Sequence, residues 1–146
     1  MKISGMILLN IIKNKEMKRK LEMKHLAPYS PYKLKCDTRR GVMEMFGLAT
    51  YGAIFMDGYA QIELELDEIN PILRPLSDYC GDVLGGRVMK LLGCNMDVVV
   101  DIWELHRGDM ELKDTPYRTY ECACRNHIDL FGLIEDGLAV NINDLK

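Results

Sequence analysis

A stretch of strict alternation, QIELELD at residues 61–67, constrains the fold of this chain more than any other feature. Ile62 and Leu64 fall on one face of a strand, and the polar side chains between them fall on the other face. This pattern is typical of an antiparallel sheet with one buried and one solvated side. Pro71 and Pro75 follow, and we expect these prolines to end regular pairing and to form the hinge between the sheet and a helix.

The residues before this stretch carry the same kind of pattern. Asp57-Gly58 lies between two apolar runs, which is a strong signal for a tight hairpin. We therefore expect an antiparallel meander, followed much later by a short terminal strand. The predicted strands cover residues 33–36, 42–48, 52–56, 59–66 and 138–142.

Shorter helix signals occupy the middle of the chain. Ser77 is placed to cap a short helix that reaches about Leu84, and a second short helix is expected to end at Gly93. Residues 95–108 are ambiguous, because their triple valine favours a strand while Asn95 is suited to cap a helix. We favour the helix here and leave the strand open as the alternative.

A longer helix is predicted near the C-terminus. Its start is marked by Asp-Thr-Pro at residues 114–116, and apolar residues follow at three- and four-residue steps. We expect this helix to cover residues 116–136, to end at Gly137 and to pack on the sheet. The predicted fold is therefore α+β, with a small, mostly antiparallel meander packed against a C-terminal helix.

The segment HLAPYSPY at residues 25–32 holds two prolines three residues apart. This spacing favours an extended, polyproline-like run. We expect Tyr29 and Tyr32 to cover the edge of the core. A Pro-aromatic segment can alternatively serve as a docking ligand for another protein.

Charge divides the chain unevenly. Residues 1–25 hold seven Lys or Arg and two Glu, whereas residues 26–146 hold twelve Lys or Arg and twenty Asp or Glu. We interpret residues 1–22 as a basic extension, either flexible or upstream of the true start, and residues 23–146 as a single α+β domain. An acidic body of this kind repels nucleic acid unless the basic segment binds it.

Cysteine usage and hydropathy indicate the compartment. The five cysteines are an odd number without the spacing of a disulfide framework, which is typical of reduced thiols in a cytosolic protein. The apolar run at residues 6–12 is interrupted by Asn10 and followed by lysines, so it is too short to span a bilayer. We expect a cytoplasmic protein without membrane association.

Several patterns resemble catalytic or metal sites without satisfying their chemistry. Glu63 and Glu65 would project from one strand face about 6.6 Å apart, but a solvated strand face explains this pair equally well. Cys122 and Cys124 would point about 200° apart on a helix, so both thiolates cannot bind one metal ion together with His127. The stretch GDVLGGR matches neither a phosphate-binding loop nor a dinucleotide motif. We predict no catalytic residue, no cofactor and no metal.

Three stretches together resemble a group of small uncharacterised proteins encoded by bacteriophages, prophages and other mobile elements of gut bacteria. They are HLAPYSPYKLK at residues 25–35, EINPILRPLSDY at residues 68–79 and HIDLFGLIEDGLAVNIN at residues 127–143. The shared patterns read LAPYxPYxLK, ILRPLSD and HxDxFGLIxxGLAxxIN, and their prolines and apolar residues are of a structural kind. The resemblance implies a start near Met23, but it implies no activity, cofactor or catalytic residue.

We therefore expect a non-enzymatic accessory protein of a phage or prophage, acting in the cytoplasm of the bacterial host through an unknown protein partner. The possible interaction surface comprises Glu63, Glu65, Asp67, Tyr29 and Tyr32. One alternative is a nucleic-acid-associated protein that uses the basic N-terminal arm. Another is a small hydrolase with dispersed site residues, in which Ser77 would meet a distant histidine. The oligomeric state is left open.

Overall fold

The computed structural model describes residues 19–80 and 87–145 of the chain, and its centre is a six-stranded sheet. The strands are β1 (Lys35–Thr38), β2 (Gly41–Leu48), β3 (Gly52–Asp57), β4 (Ala60–Glu65), β5 (Ile69–Leu73) and β6 (Val140–Asn141). Their order across the sheet is β4-β3-β2-β1-β5-β6. Neighbouring strands pair antiparallel, except that β5 and β6 run parallel. The predicted α+β class with a mostly antiparallel sheet is therefore confirmed.

Strands β1 to β4 form the predicted meander. The hairpin between β3 and β4 closes with Asp57 opposite Ala60, and Gly58 adopts the positive φ of 65° that a tight turn requires. Along β4, Leu64 is buried while Glu63 and Glu65 are exposed, as the alternation predicts. The strands that the sequence pattern indicates in this region are therefore present, with small shifts at their ends.

Gly52 marks the closest approach between β3 and β4. Its register partner is Glu65, and a Cβ atom at Gly52 would lie 1.9 Å from the backbone carbonyl oxygen of Leu64. Backbone atoms cannot rotate away as a flexible side chain does. Only glycine fits at this position without displacing β4.

Pro71 does not end the sheet pairing, and this prediction is wrong. Pro71 lies inside β5, its side chain is fully buried, and its register partner is Cys36 on β1. On the other side of β5, the short β6 pairs only with Ile72 and Leu73. Proline has no N–H to donate, and it is accommodated here because β5 has a single strand neighbour at this position.

The predicted helix after Pro75 is a short 3₁₀ turn, Leu76–Tyr79. Ser77 lies inside this turn rather than before it, and no side chain caps the N-terminus, where Pro75 takes the cap position. The remainder of the predicted helix, together with the glycine pair expected to end it, falls on residues 81–86, which lie outside the described residues.

Residues 95–108 form a helix, so the strand alternative is wrong. The four α-helices of the described chain are α1 (Met23–Leu26), α2 (Arg87–Leu92), α3 (Met96–Arg107) and α4 (Tyr117–Arg125). The Asn95 side chain accepts a hydrogen bond from the Val98 amide at the start of α3, and Gly108 ends α3 with a φ of 80°. Val98 and Val99, two of the three valines that favour a strand, instead lie on the buried face of α3 with Ile102.

The segment at residues 25–32 is helical rather than extended, so the polyproline-like prediction is wrong. Helix α1 continues directly into a 3₁₀ segment, Ala27–Tyr32, and the left-handed Lys33 ends it. Pro28 lies in the first turn of this 3₁₀ segment, where its fixed φ is close to the helical value and its missing N–H has no partner. Burial of Tyr29 on the core side holds the segment in place.

The helix predicted for residues 116–136 is less than half as long as expected, since α4 covers only Tyr117–Arg125. The Asn126 side chain donates to the Cys122 carbonyl oxygen, and His127 has a φ of 57°, which no helix continues. Consecutive turns follow, and the terminal strand is shortened to β6. The apolar residues whose spacing predicts a longer helix lie in these turns.

Helix α4 packs mainly against the Ala27–Tyr32 segment and against α3, rather than on the sheet as predicted. The Thr119 hydroxyl donates to the Asp101 carboxylate at 2.6 Å, which fixes α4 against α3. One hydrophobic cluster joins the sheet to these helices, with Phe55 and Ile102 fully buried in it. Within the described ranges, no helix combines the length and the apolar character needed to cross a membrane.

Candidate interaction surface

The Ala27–Tyr32 segment is held to the chain about a hundred residues away. The Tyr29 hydroxyl donates to the Ile128 carbonyl oxygen and accepts from the Leu130 amide at 3.1 Å. Burial holds the pKa of Tyr29 well above its ordinary value, so this hydroxyl stays protonated. His127 Nε2–H donates to the Tyr32 carbonyl oxygen at 2.6 Å. The segment, with its two prolines, is therefore a fixed platform.

Backbone strain is concentrated at the end of this platform. In the described part of the chain, the non-glycine residues with positive φ are Lys33 at 56° and His127 at 57°. Both adjoin the hydrogen bond between His127 and the Tyr32 carbonyl. Such conformations cost about 1 kcal/mol or more, and they are often found at binding sites.

Two grooves meet at Pro31 on this platform. The first, the Phe46 groove, has a volume of about 500 Å³. Its lining residues are Ser30, Pro31, Lys33, Glu44, Met45, Phe46 and Met56. The second, the tyrosine groove, has a volume of about 230 Å³. Its lining residues are Ala27, Pro28, Pro31, Tyr32, Tyr117, Tyr120, Glu121 and Cys124. Pro31 lines both, so the two grooves adjoin at this residue.

The Phe46 groove exposes large apolar side chains. Phe46 is 69% exposed and Met56 is 42% exposed. Phe46 is the extra residue of a β-bulge, because Met45 is paired with Phe55 while Gly47 is paired with Ile54. Bulges redirect side chains and are frequent next to binding sites. An exposed phenylalanine beside a groove is typical of a protein-binding surface.

The tyrosine groove combines aromatic rings with one carboxylate. Tyr117 is 78% exposed, while Tyr32 and Tyr120 are half-buried. Burial and then the charge of Glu121 raise the pKa of Tyr32. Burial raises the pKa of Cys124 to about 12, so the thiol in this groove is neutral and not nucleophilic.

The residues predicted as an interaction surface are not brought together. Tyr32 lines the tyrosine groove, but Tyr29 has no exposed surface and cannot contact a partner. Glu63 and Glu65 are exposed on β4, where neither forms an ion pair with another described residue. Asp67 lines a separate cavity next to the N-terminal residues of the described chain.

A third cleft, of about 380 Å³, gathers residue types that a hydrolase requires. Ser77, His106 and Asp129 all line it. However, the two carboxylate oxygens of Asp129 accept the Leu133 and Ile134 amides at 2.9 Å, so this side chain holds a turn. No hydrogen bond between described atoms connects the serine, the histidine and the aspartate, and a nucleophile–base–carboxylate relay depends on such bonds.

The cysteine-histidine pattern is not arranged as a metal site. Cys122 and Cys124 are both buried in α4, and the Cys122 thiol donates to the Leu92 carbonyl oxygen at 3.8 Å. His127 is bound to the platform through Nε2. Among the residues with described positions, no three His, Cys, Asp or Glu side chains form a group that could hold a metal ion.

Most of the groove residues are missed by sequence reasoning. Tyr117 and Tyr120 are predicted there as part of an apolar core stripe, because a shortened helix and its rotation cannot be read from spacing. A usable signal was present, since Tyr120 and Glu121 follow Tyr117 by three and four residues and therefore lie beside it on the helix surface. Phe46 gives a weaker signal of exposure, because the apolar pattern of a strand does not show where a β-bulge will occur.

The two grooves offer aromatic faces, an exposed apolar side chain and carboxylates. This combination suits the binding of a polypeptide segment, in which aromatic residues anchor and charges orient the partner. In comparisons with known proteins, the chain matches no family model, no curated protein and no solved structure.

Proposed function

We propose that this chain is a non-enzymatic accessory protein of a bacteriophage or prophage, and that it binds another protein in the cytoplasm of the bacterial host. The observation that carries the binding role is the meeting of two grooves at Pro31, beside the exposed Phe46. The origin and the compartment are supported by the resemblance of the three sequence patterns and by the reduced state expected of the cysteines.

The proposed occupant is an extended segment of a partner protein that carries apolar and basic side chains. Residues 26–146 contain twelve basic and twenty acidic residues, which favours a basic partner. Each groove also has a carboxylate in its lining, Glu44 in the Phe46 groove and Glu121 in the tyrosine groove, although Lys33 lines the Phe46 groove as well. Phe46 supplies an exposed apolar contact in the Phe46 groove.

The two alternative functions have less support. A hydrolase would require a carboxylate that orients a catalytic histidine. Both carboxylate oxygens of Asp129 instead accept backbone amides. The nucleic-acid arm consists mostly of residues 1–18, which lie outside the described residues. The described cations of this arm are Arg19 and Lys20, and Arg19 is paired with Asp136. Paired cations contribute less to phosphate binding.

The test is capture of the partner from infected or lysogenic cells, followed by reconstitution of the complex from the two purified proteins. We expect Phe46→Ala to weaken the purified complex about thirtyfold, as expected for an aromatic anchor. Tyr51→Ala is the matched control, because Tyr51 is 79% exposed but lines neither groove. This control should bind within about threefold of the unmodified chain.

Three results would contradict the proposal. In the first, no captured protein forms a stoichiometric complex with the purified chain. In the second, Phe46→Ala binds as tightly as Tyr51→Ala. In the third, light scattering finds a dimer that Phe46→Ala disperses, which would make a second copy of this chain the occupant.

A further inference from the structure

We propose that the tyrosine groove is a binding site for the guanidinium group of an arginine in the partner segment. This inference rests on the proposed function, since it names the chemistry of one partner residue. The site consists of the rings of Tyr32, Tyr117 and Tyr120, the carboxylate of Glu121, and the flanking Pro31.

The three tyrosine rings are available to a ligand. The close ring pairs found among the described aromatic residues are His25 with Phe131 and Tyr29 with Phe131. The rings of the groove therefore do not stack on one another. A cation over an aromatic face gains about 0.5–2 kcal/mol, depending on how far the site is desolvated.

The carboxylate of Glu121 supplies the complementary charge. Its nearest cation in the described chain is Arg125, one helical turn away, with 4.0 Å between the guanidinium and carboxylate atoms. That distance is the longest among the ion pairs of the described residues, and exposed pairs of this type contribute about 0.5 kcal/mol or less. An incoming arginine can therefore replace Arg125 at little cost.

The size of the groove suits a single side chain. Its volume of about 230 Å³ is below the range of roughly 300–1,000 Å³ that is usual for small-molecule sites. A guanidinium group is planar, stacks on aromatic rings and can form two hydrogen bonds with one carboxylate. The ammonium group of lysine lacks this plane, so the geometry favours arginine.

The chain already contains this type of contact elsewhere. The guanidinium carbon of Arg107 lies 4.2 Å from the ring centroid of Trp103 on α3. This internal pair gives a reference for the geometry that an arginine would adopt over Tyr117 or Tyr120. The proposed site adds a carboxylate, which the Trp103 pair does not require.

The site can be tested without the partner protein, by nuclear magnetic resonance titration of the full chain with N-acetyl-arginine amide at constant ionic strength. We expect saturable shifts of the ring resonances of Tyr117 and Tyr120. The matched citrulline compound, which has the same shape without the charge, should bind at least about fivefold more weakly. The lysine compound should also bind more weakly than the arginine compound.

Variants test the contributions of the aromatic ring and of the carboxylate separately. Tyr117→Phe retains an aromatic face and should bind the arginine compound normally, whereas Tyr117→Leu should lose about threefold to tenfold in affinity. Glu121→Gln should lose a similar factor. The control Glu111→Gln removes an exposed carboxylate outside the groove and should have no effect.

Equal binding of the arginine and citrulline compounds would overturn the inference, and so would equal binding by the Tyr117→Phe and Tyr117→Leu variants. Tighter binding of the lysine compound would overturn the choice of arginine. A partner complex that depends on Phe46 while the arginine compound fails to bind would overturn this inference alone. Arginine binding without any partner complex would instead contradict the proposed function.

Discussion

The meander and the platform are built by different kinds of contacts. In the meander, β1 to β4, each strand pairs with the next along the chain, and short turns connect them. The platform, Ala27–Tyr32, depends instead on residues 127–130: the Tyr29 hydroxyl is bonded to Ile128, 99 positions away, and the Tyr32 carbonyl to His127, 95 positions away. Local signals therefore determine one region, and distant contacts determine the other.

The Phe46 groove lies where these two regions meet. Phe46 and Met56 come from the meander, while Ser30 and Pro31 come from the platform, and all four line the Phe46 groove. A change that opens either region therefore alters the groove. Stability measurements on the two regions therefore also test which region holds the groove in shape.

The largest effect is expected at Gly52 in the meander. Gly52→Ala places a Cβ atom 1.9 Å from the Leu64 carbonyl oxygen, so β3 and β4 must separate and the free energy of unfolding should fall by about 3 kcal/mol. Gly47→Ala is the matched control, because no atom lies within 4 Å of its added Cβ. Urea denaturation measures both, and equal stability of the two variants would show that the close approach is not rigid.

The platform should respond more locally. Tyr29→Phe leaves the buried Leu130 amide and the Ile128 carbonyl without their partner, which should cost about 2 kcal/mol. Hydrogen exchange should accelerate at Leu130 before it does in β3. Tyr51→Phe, which changes an exposed hydroxyl in the meander, should remain within about 0.5 kcal/mol. Uniform acceleration across the sheet would contradict the distinction between the regions.

The same distinction explains how much of the fold the sequence predicts. The strands from 42 to 66 are predicted because alternation and Asp57-Gly58 are local signals. Helix α3 is predicted because Asn95 and Gly108 mark its two ends. In both cases the signal and the structure that it specifies lie within a few residues of each other.

The failures lie where distant contacts decide. Pro71 is read as a strand end, because sequence does not reveal that β5 has one strand neighbour there. Residues 126–137 keep a helix-like spacing, but the Asp129 carboxylate folds them into turns. The candidate site is predicted only at Tyr32, since its other rings depend on how α4 is placed beside the platform.

A smaller effect is expected from pH, through His25 beside the platform. His25 is buried, its Nδ1 accepts the Glu22 amide at 3.0 Å, and burial followed by the charge of Arg19 lowers its pKa. The unfolded chain therefore binds this proton more readily. The contribution of His25 to the free energy of unfolding should be fully present above the unfolded pKa of about 6.5. It should be lost as the pH falls through the lower folded pKa.

Urea denaturation above and below that unfolded pKa measures this loss. His25→Gln removes the titrating ring and should reduce the pH dependence, while His106→Gln changes an exposed histidine and should leave it intact. An unchanged pH dependence in His25→Gln would contradict the assignment to His25.

The smallest effect comes from one ion pair in each region, and these pairs have similar exposure. Arg19 contacts Asp136 and the Phe131 carbonyl near the platform, with side chains 45% and 37% exposed in the ion pair. Arg40 pairs with Asp57 in the meander at 2.7 Å, with side chains 49% and 54% exposed. Replacing either arginine by methionine should cost about 1 kcal/mol or less, because solvent and salt screen exposed charges.

Hydrogen exchange should nevertheless distinguish the two variants. Arg19→Met should accelerate exchange in the turns that hold the platform, and Arg40→Met should accelerate it in the β3–β4 hairpin. Identical exchange patterns would mean that the two regions open together, and that the Phe46 groove between them is lost whenever either region opens.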